Sequence, residues 1–369
     1  MGAQRERPGI RAAGIRDVAR RAGVSVATVS NVFNRPEIVA PDTRRRVEEA
    51  VEELGYVRNE SARQLRAGHS RTIGLVVPDS SNPFFTDVAR GVEDTISAAG
   101  ALLIVCNSDN DPQKERRYIT LLAEQQVQGA LTVPVRGARS AAPLLRERHV
   151  PVVILDKTDR SGGVCSVAVN DVAGGRLAMS HLLDRGHRRV GFVGTGHDVH
   201  QAADREAGAR WAVEEAGHDP DKLLTVPTSQ LTVAGGTQAA AELLAIPARK
   251  RPTAVACVND LIAIGLLHEL LRRGVRVPDD IAIVGYDDIG FAQAATVPLT
   301  SVRQPRHQLG ARAAQLLLDE ATDDHHRHES VVFEPELIAR ESSGAGTVAT
   351  AATNGSKTPA RGRSAGTRA

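Results

Sequence analysis

Acidic and amide side chains recur where the apolar runs of this sequence end. Asp156 closes PVVILD (151–156), Asn259 and Asp260 follow TAVACV (253–258), and Asp287 lies in the turn that ends IAIVGYDD (281–288). With an arginine such as Arg205, in DREAG, carboxylates and amides so placed can fix a polyhydroxylated or heterocyclic small molecule by paired hydrogen bonds. Each acid also has a plainer use as a turn former or helix cap, and Asp260 and Asp288 suit that use equally well. A second grouping lies near the N-terminus, where IRDVARRAGVSVATVSNVFN (15–34) divides into two short helices. Val18, Ala19 and Ala22 share one face, Gly23 ends the first helix, and Ser25 caps a second whose Val29 and Val32 face back. This is helix-turn-helix spacing: the turn is tight enough for the second helix to protrude into a major groove. An ordinary helical hairpin has the same spacing.

Other chemistry has weaker support. GTGHD (194–198) follows a strand-like run and resembles a phosphate-cradling turn, but a lone GxG is also an ordinary strand-to-helix connection. No Ser/His/Asp order stands out. DHHRH (324–328) offers imidazoles in a polar stretch without a second spaced cluster of ligand-type residues. It reads as a solvated loop, so the sequence assigns no metal ligand and no cofactor. Cys106, Cys165 and Cys257 are widely spaced and odd in number, which suits small core residues in a reducing cytoplasm. The charged N-terminus MGAQRERPGIRAAG lacks the apolar stretch of a signal peptide, and no later run is long enough to span a membrane. A soluble cytoplasmic protein is therefore expected.

The elements that must position these groups fall into two regimes. At 369 residues the chain exceeds a single hydrophobic core, and its 41% hydrophobic content fits a globular protein. From Ile15 to about Leu54 the pattern is helical and the segments are short. From Thr72 onward apolar runs alternate with amphipathic helices in the rhythm of a parallel sheet. The runs are TIGLVVP (72–78), ALLIVC (101–106), GALTVPV (129–135), PVVILD, RRVGFVG (188–194), TAVACV and IAIVGYDD. Ligands of open α/β sheets sit beyond the carboxyl ends of strands, so the loops after these runs are where a ligand is expected. Residues 1–13 and 344–369 lack apolar periodicity and read as disordered. The net charge of +2 hides an asymmetry: residues 1–71 carry 14 basic and 9 acidic residues, residues 344–369 carry 4 basic and no acidic ones, and the middle is net acidic. A basic head on an acidic body is the footprint of nucleic-acid binding confined to one end.

The segment DVARRAGVSVATVSNVFN, then VAPDTRRRVEEAVEELGYVRNESARQLRAGHSRTIGLVVPD, resembles the head and hinge of the lactose/galactose repressor family of bacterial regulators. The likeness runs from about Gly14 to Arg340. It implies an all-α helix-turn-helix head (14–58) and a hinge helix with linker (59–70), joined to an α/β two-lobed, periplasmic-binding-protein-like effector and dimerisation domain with parallel sheets (71–343). The lobes would be about 71–171 with 301–330, and about 172–300 with 331–343. The implied function is that of a transcription repressor and not an enzyme. It would bind a pseudo-palindromic double-stranded operator as a homodimer, in the cytoplasm at the nucleoid, under control of a sugar or nucleobase-like effector in the interlobe cleft.

Position by position, Val26, Ala27 and Asn31 fall where the family reads base edges; Val and Ala can meet thymine methyls, and the Asn amide can pair with adenine. Thr28, Ser30 and Arg35 are better placed for phosphates, and the capping Ser25 joins the DNA-contacting set. In NESARQLR (59–66), Asn59, Ala62, Arg63, Leu65 and Arg66 match the hinge helix, whose Leu wedges into the minor groove. In the body the resemblance implies that Phe85 of SNPFF stacks on a flat ligand and that Asp156 accepts hydroxyl protons. Arg205, Asn259, Asp260, Asp287 and Gln304 would reach in from the second lobe and the hinge. Three departures stand out: Gly14 replaces a common Ser or Thr cap, Arg58 a frequent Pro, and Gln230 marks a region where relatives often carry a stacking aromatic. The alternatives are an enzyme of the same fold and a solute-binding protein without DNA activity, and the basic helical head argues against the latter.

Overall fold

In the computed structural model, residues 13–57, 70–135, 142–159, 161–196, 199–323 and 325–344 are described. The chain forms two compact units, residues 1–70 and 71–369. Among the described residues no helix is long and apolar enough to cross a membrane.

The smaller unit holds α1 (Ile15–Ala22), α2 (Val26–Asn34) and α3 (Pro41–Glu53). Local chemistry sets the break between α1 and α2. Gly23 adopts a left-handed φ of 64° that ends α1, a conformation glycine enters without Cβ strain. Ser25 Oγ then accepts the Thr28 N–H at 3.0 Å and starts α2. Gly14 has no side chain to cap α1, and Asp17 supports that end instead by accepting the Gly14 N–H at 3.0 Å. Val18, Ala19, Ala22, Val29, Val32, Val47 and Ala50 form one small core.

The larger unit contains, in chain order, β1 (Thr72–Val77), α4 (Pro83–Ala98), β2 (Leu102–Asn107), α5 (Pro112–Glu124), β3 (Gly129–Thr132), α6 (Ala142–Arg146), β4 (Val152–Leu155), β5 (Cys165–Val169), α7 (Asp171–Asp184), β6 (Val190–Thr195), α8 (His200–Glu215), β7 (Leu224–Pro227), α9 (Val233–Ala245), β8 (Ala254–Cys257), α10 (Asp260–Arg272), β9 (Ala282–Asp287), α11 (Gly290–Ala294), β10 (Thr300–Arg303), α12 (Arg306–Thr322), β11 (Ser330–Phe333) and β12 (Glu336–Ile338). They build two six-stranded sheets, ordered β11-β5-β4-β3-β1-β2 and β12-β10-β9-β8-β6-β7. All neighbours are parallel except β12, which runs antiparallel to β10. The two sheets share one winding order, so each has a switch point, β1/β3 in the first lobe and β6/β8 in the second, where a crevice opens beyond the strand ends. Central strands such as β3 are buried throughout because a doubly covered sheet leaves no face to water.

Strand pairing defines the lobes. β10 pairs with β9 in the second sheet and β11 with β5 in the first. The chain thus passes between lobes near Asn170, Gln304 and Glu334, the last two crossings a few residues beyond the breaks read from the sequence. TSVR and SVVF are short, partly polar strands, and which sheet receives them is decided by hydrogen bonds that periodicity does not record.

Candidate functional site

The head offers one outward face. Val29 and Val32 of α2 turn to the core, whereas Val26 is 42% exposed and Ala27 is exposed beside it. Ser30 and Asn31 continue that face one turn on, half-buried. Thr28 Oγ1 lies 2.9 Å from Ser25 Oγ, so both hydroxyls belong to the cap, and Ser30 Oγ accepts from Asn34 Nδ2 at 3.1 Å. Arg35 follows the helix, exposed. Two methyl-bearing residues beside an amide match the edges that bases present in a major groove. Asn59, Ala62, Arg63, Leu65 and Arg66 lie outside the described residues.

In the body, a cleft opens between the lobes. Asp79, Asn82, Phe85, Asn110 and Asp156 line it from the first lobe, and Gln201, Arg205, Asn259 and Asp287 from the second. Asp79 follows β1 and Asn259 follows β8, so the lining comes from the two switch points. The same loops must also start helices: Asn82 Oδ1 accepts the Phe84 N–H, and Asn259 Oδ1 the Ile262 N–H. Phe85 is only 9% exposed and meets Phe84 edge-on at 5.0 Å between centroids.

Arg205 organises the second-lobe wall. Gly175 of α7 and Gly208 of α8 bring their helices so close that a Cβ on either would overlap the other helix's backbone, at the Arg205 and Val172 carbonyls respectively. That approach puts Arg205 Nε 2.7 Å from Asp171 Oδ1, with Nη1 donating to the Val258 carbonyl at 2.8 Å and standing 3.6 Å from Asp287 Oδ1. The guanidinium also lies 3.7 Å from the Tyr286 ring centroid, and the Tyr286 hydroxyl donates to Asp171 Oδ1 at 3.0 Å. Burial opposes the arginine's charge, but the surrounding carboxylates, Asp171 foremost, hold it protonated. Burial pushes Asp287 up to about 6 against the pull of Arg205, and raises Asp156 well above the carboxylate range, with Asp171 adding to the rise.

The backbone carries strain at the same two acids. Asp156 has φ 57° and Asp287 φ 104°, conformations that cost a non-glycine residue on the order of 1–3 kcal/mol and persist where the surroundings enforce them. Arg306, at the start of α12 in the first lobe, supplies part of that enforcement by donating to the Asp287 and Asp288 carbonyls while pairing with Asp87 at 2.9 Å. The lobes are also tied by Gln201 Nε2, which donates to both the Asp156 carbonyl and Oδ2 at 2.8 Å.

Not every residue read from the sequence reaches the cleft. Asp260 is fully buried; its Oδ1 accepts from Ser301 Oγ at 2.6 Å and its Oδ2 from the Ile289 N–H at 2.9 Å, so it fastens α10 to β10 and the turn after β9. Gln304 stands behind the lining and donates through Nε2 to Asp287 Oδ1 at 2.7 Å. Asp288 faces away, paired with Arg303 and Arg340 at 2.8 and 2.7 Å. Gln201, Asn82 and Asn110 line the cleft without having been singled out, although each follows a strand end where the same rule pointed. Leu231 occupies the wall near Gln230.

Residues 14–59 match the family described as bacterial regulatory proteins, lacI family, and residues 179–343 match a periplasmic binding protein-like domain. The chain is 36% identical over 329 residues to the HTH-type transcriptional repressor PurR of Photobacterium profundum, spanning 89% of this chain and 98% of that one. It is similar to the transcriptional regulator CelR in complex with cellobiose, at a TM-score of 0.66 and 31% identity over 89% of this chain and 99% of the other. It is also similar to the lac repressor dimer bound to operator and the anti-inducer ONPF, at a TM-score of 0.77 and 25% identity over 90% and 99% of the two chains.

Proposed function

The chain belongs to the lacI family of bacterial regulatory proteins and is a DNA-binding transcription repressor with an effector domain, not an enzyme, and from that premise we propose how its residues divide the work. In the head, Val26, Ala27 and Asn31 read base edges, while Ser25, Thr28, Ser30 and Arg35 hold phosphates. Outside the described residues, Asn59, Ala62, Arg63, Leu65 and Arg66 form the hinge contact, with Leu65 as the minor-groove wedge. The protein acts in the cytoplasm at the nucleoid, as a homodimer on a pseudo-palindromic operator. The second copy covers the edge strand β2, where Leu102, Ile104 and Val105 are exposed.

The effector is a small polyhydroxylated molecule of the sugar class. One observation carries this reading: Asp156 from one lobe and Arg205 with Asp287 from the other line a single cleft, both acids at strained positive φ. Carboxylates accept from hydroxyls, the guanidinium donates to a ring or hydroxyl oxygen, and Gln304 keeps Asp287 aimed. A ligand hydroxyl would replace Gln201 on Asp156, exchanging a protein tie between the lobes for a ligand-mediated one. A flat heterocycle is less well served, because Phe85 is only 9% exposed and offers little surface for stacking. A thermal-shift panel of mono- and disaccharides, cellobiose included, against nucleosides tests this. Stabilisation by a saccharide that is lost in Asp156→Ala is the expected result, and stabilisation by nucleosides alone would overturn it.

A further inference from the structure

The fold supplies what DHHRH lacks in the sequence, a second set of ligand-type residues beside its histidines. We propose that Cys165, Glu320, His326 and His328 form a binding site for one divalent transition-metal ion of the zinc class. Cys165 opens β5, Glu320 lies in the last turn of α12, and the two histidines stand in the connection from α12 to β11. Cys165 Sγ is 3.1 Å from His326 Nε2 and 3.8 Å from His328 Nδ1, and the two rings meet edge-on at 5.7 Å between centroids. One donor atom from each of the four residues lies within 4.8 Å of the others. A tetrahedral ion with its sulfur at about 2.3 Å and its nitrogen and oxygen donors at about 2.0 Å sets donor atoms about 3.3–3.6 Å apart. Drawing this set around an ion therefore takes side-chain adjustment and no refolding.

The donor types choose the metal. One thiolate, two imidazoles and one carboxylate suit zinc or its close neighbours, whereas magnesium and calcium require oxygen ligands. Two further observations point to a ligand. One oxygen of Glu320, Oε2, is shut away from solvent with no hydrogen-bond donor among the described residues, a state a cation relieves. The Glu329 N–H points to Cys165 Sγ at 3.4 Å, the outer-shell contact that steadies a metal-bound thiolate. Cys165 is buried while the other three are partly exposed, which leaves a route for entry.

The position gives the ion a task. β11 is an edge strand that pairs with β5 alone, and from it the chain crosses to β12 in the second sheet. An ion held by Cys165 and the residues just before β11 staples that edge strand to its neighbour and anchors the last interlobe crossing. The site is separate from the cleft and does not depend on which small molecule binds there.

The test uses the full-length protein, stripped with chelator and titrated with Zn²⁺ or Co²⁺. Expected are uptake of one ion per chain at stoichiometric Zn²⁺, a rise in the body's unfolding midpoint, and a Co²⁺ spectrum with tetrahedral bands and a near-ultraviolet thiolate charge-transfer band. His326→Gln with His328→Gln, at partly exposed positions, should keep the metal-free midpoint and lose both the uptake and the shift. Cys165→Ser should lose the near-ultraviolet band. The sequence has 12 histidines, so uptake that survives in the double variant would mean binding elsewhere and overturn the proposal. So would the absence of stoichiometric uptake by the wild type, or a cobalt spectrum without the thiolate band.

Discussion

Val26, offered to DNA, is 42% exposed on a helix whose inner side alone holds the head's small core; Asp287, offered to an effector, is 3% exposed and already bonded to Gln304 and near Arg205. With the roles proposed above, the head keeps recognition and stability on opposite faces of one helix, and the cleft places both in the same buried groups. Changes to the reading face should therefore alter binding alone, whereas changes in the cleft should alter binding and folding together.

The sharpest way to break this contrast is Arg205→Ala. Arg205 lies in α8, where the structure surrounds it with Asp171, Asp287, the Val258 carbonyl and Tyr286. Removing the cation strands two buried carboxylates, and breaking a buried pair from one side costs about 3–5 kcal/mol. Urea unfolding of the body should shift by that amount, and an unchanged midpoint would mean that the network is not what holds this wall. Asn31→Ala comes next. It should leave the midpoint unmoved and reduce discrimination between operator and scrambled duplex by about 1–3 kcal/mol at fixed salt. Equal losses on both duplexes would make Asn31 a backbone contact.

A smaller effect is expected with pH. Asp287, with Asp171, Asp156, Arg205 and Arg306 around it, keeps its proton up to about 6 in the folded chain because it is buried. The folded state thus holds a proton that the unfolded state has released, so this group's contribution to stability falls as pH rises from about 4 to about 6. Hydroxyl donors prefer the ionised form. The share of saccharide affinity that Asp287 supplies should weaken below about pH 6, by up to about tenfold per pH unit for one linked proton. Calorimetry across this range checks it, and DNA binding by the head should show no matching inflection from this acid.

The head was legible in the sequence because its signals are local: Gly23, Ser25 and the spacing of Val18, Ala22, Val29 and Val32 all act within a few residues. The parallel-sheet rhythm and the loops where a ligand was expected followed from the apolar runs and the strand-end rule, and the two lobes with their cleft were implied by the family resemblance. What the sequence left open was which strand-end acid faces a ligand. Asp260 and Asp287 look alike as text, and only the pairing of β9 with β10 brings Ser301 beneath Asp260 and makes it a fastener. The Cys165 cluster was hidden for a related reason, since 161 residues separate its cysteine from His326. Their meeting depends on β11 joining the first sheet, and that strand is too short for periodicity to reveal.

One titration shows whether a head that reads DNA answers to a cleft that reads a small molecule. Operator duplex, selected from a random library by the full-length protein, is titrated with and without the saccharide that stabilises the body, for the wild type and for Asp287→Ala. The saccharide should change wild-type operator affinity by about 5- to 150-fold, a coupling of about 1–3 kcal/mol. Asp287→Ala should bind operator and lose the response. Identical wild-type affinities with the cleft empty and with it saturated would mean that the head does not answer to the cleft.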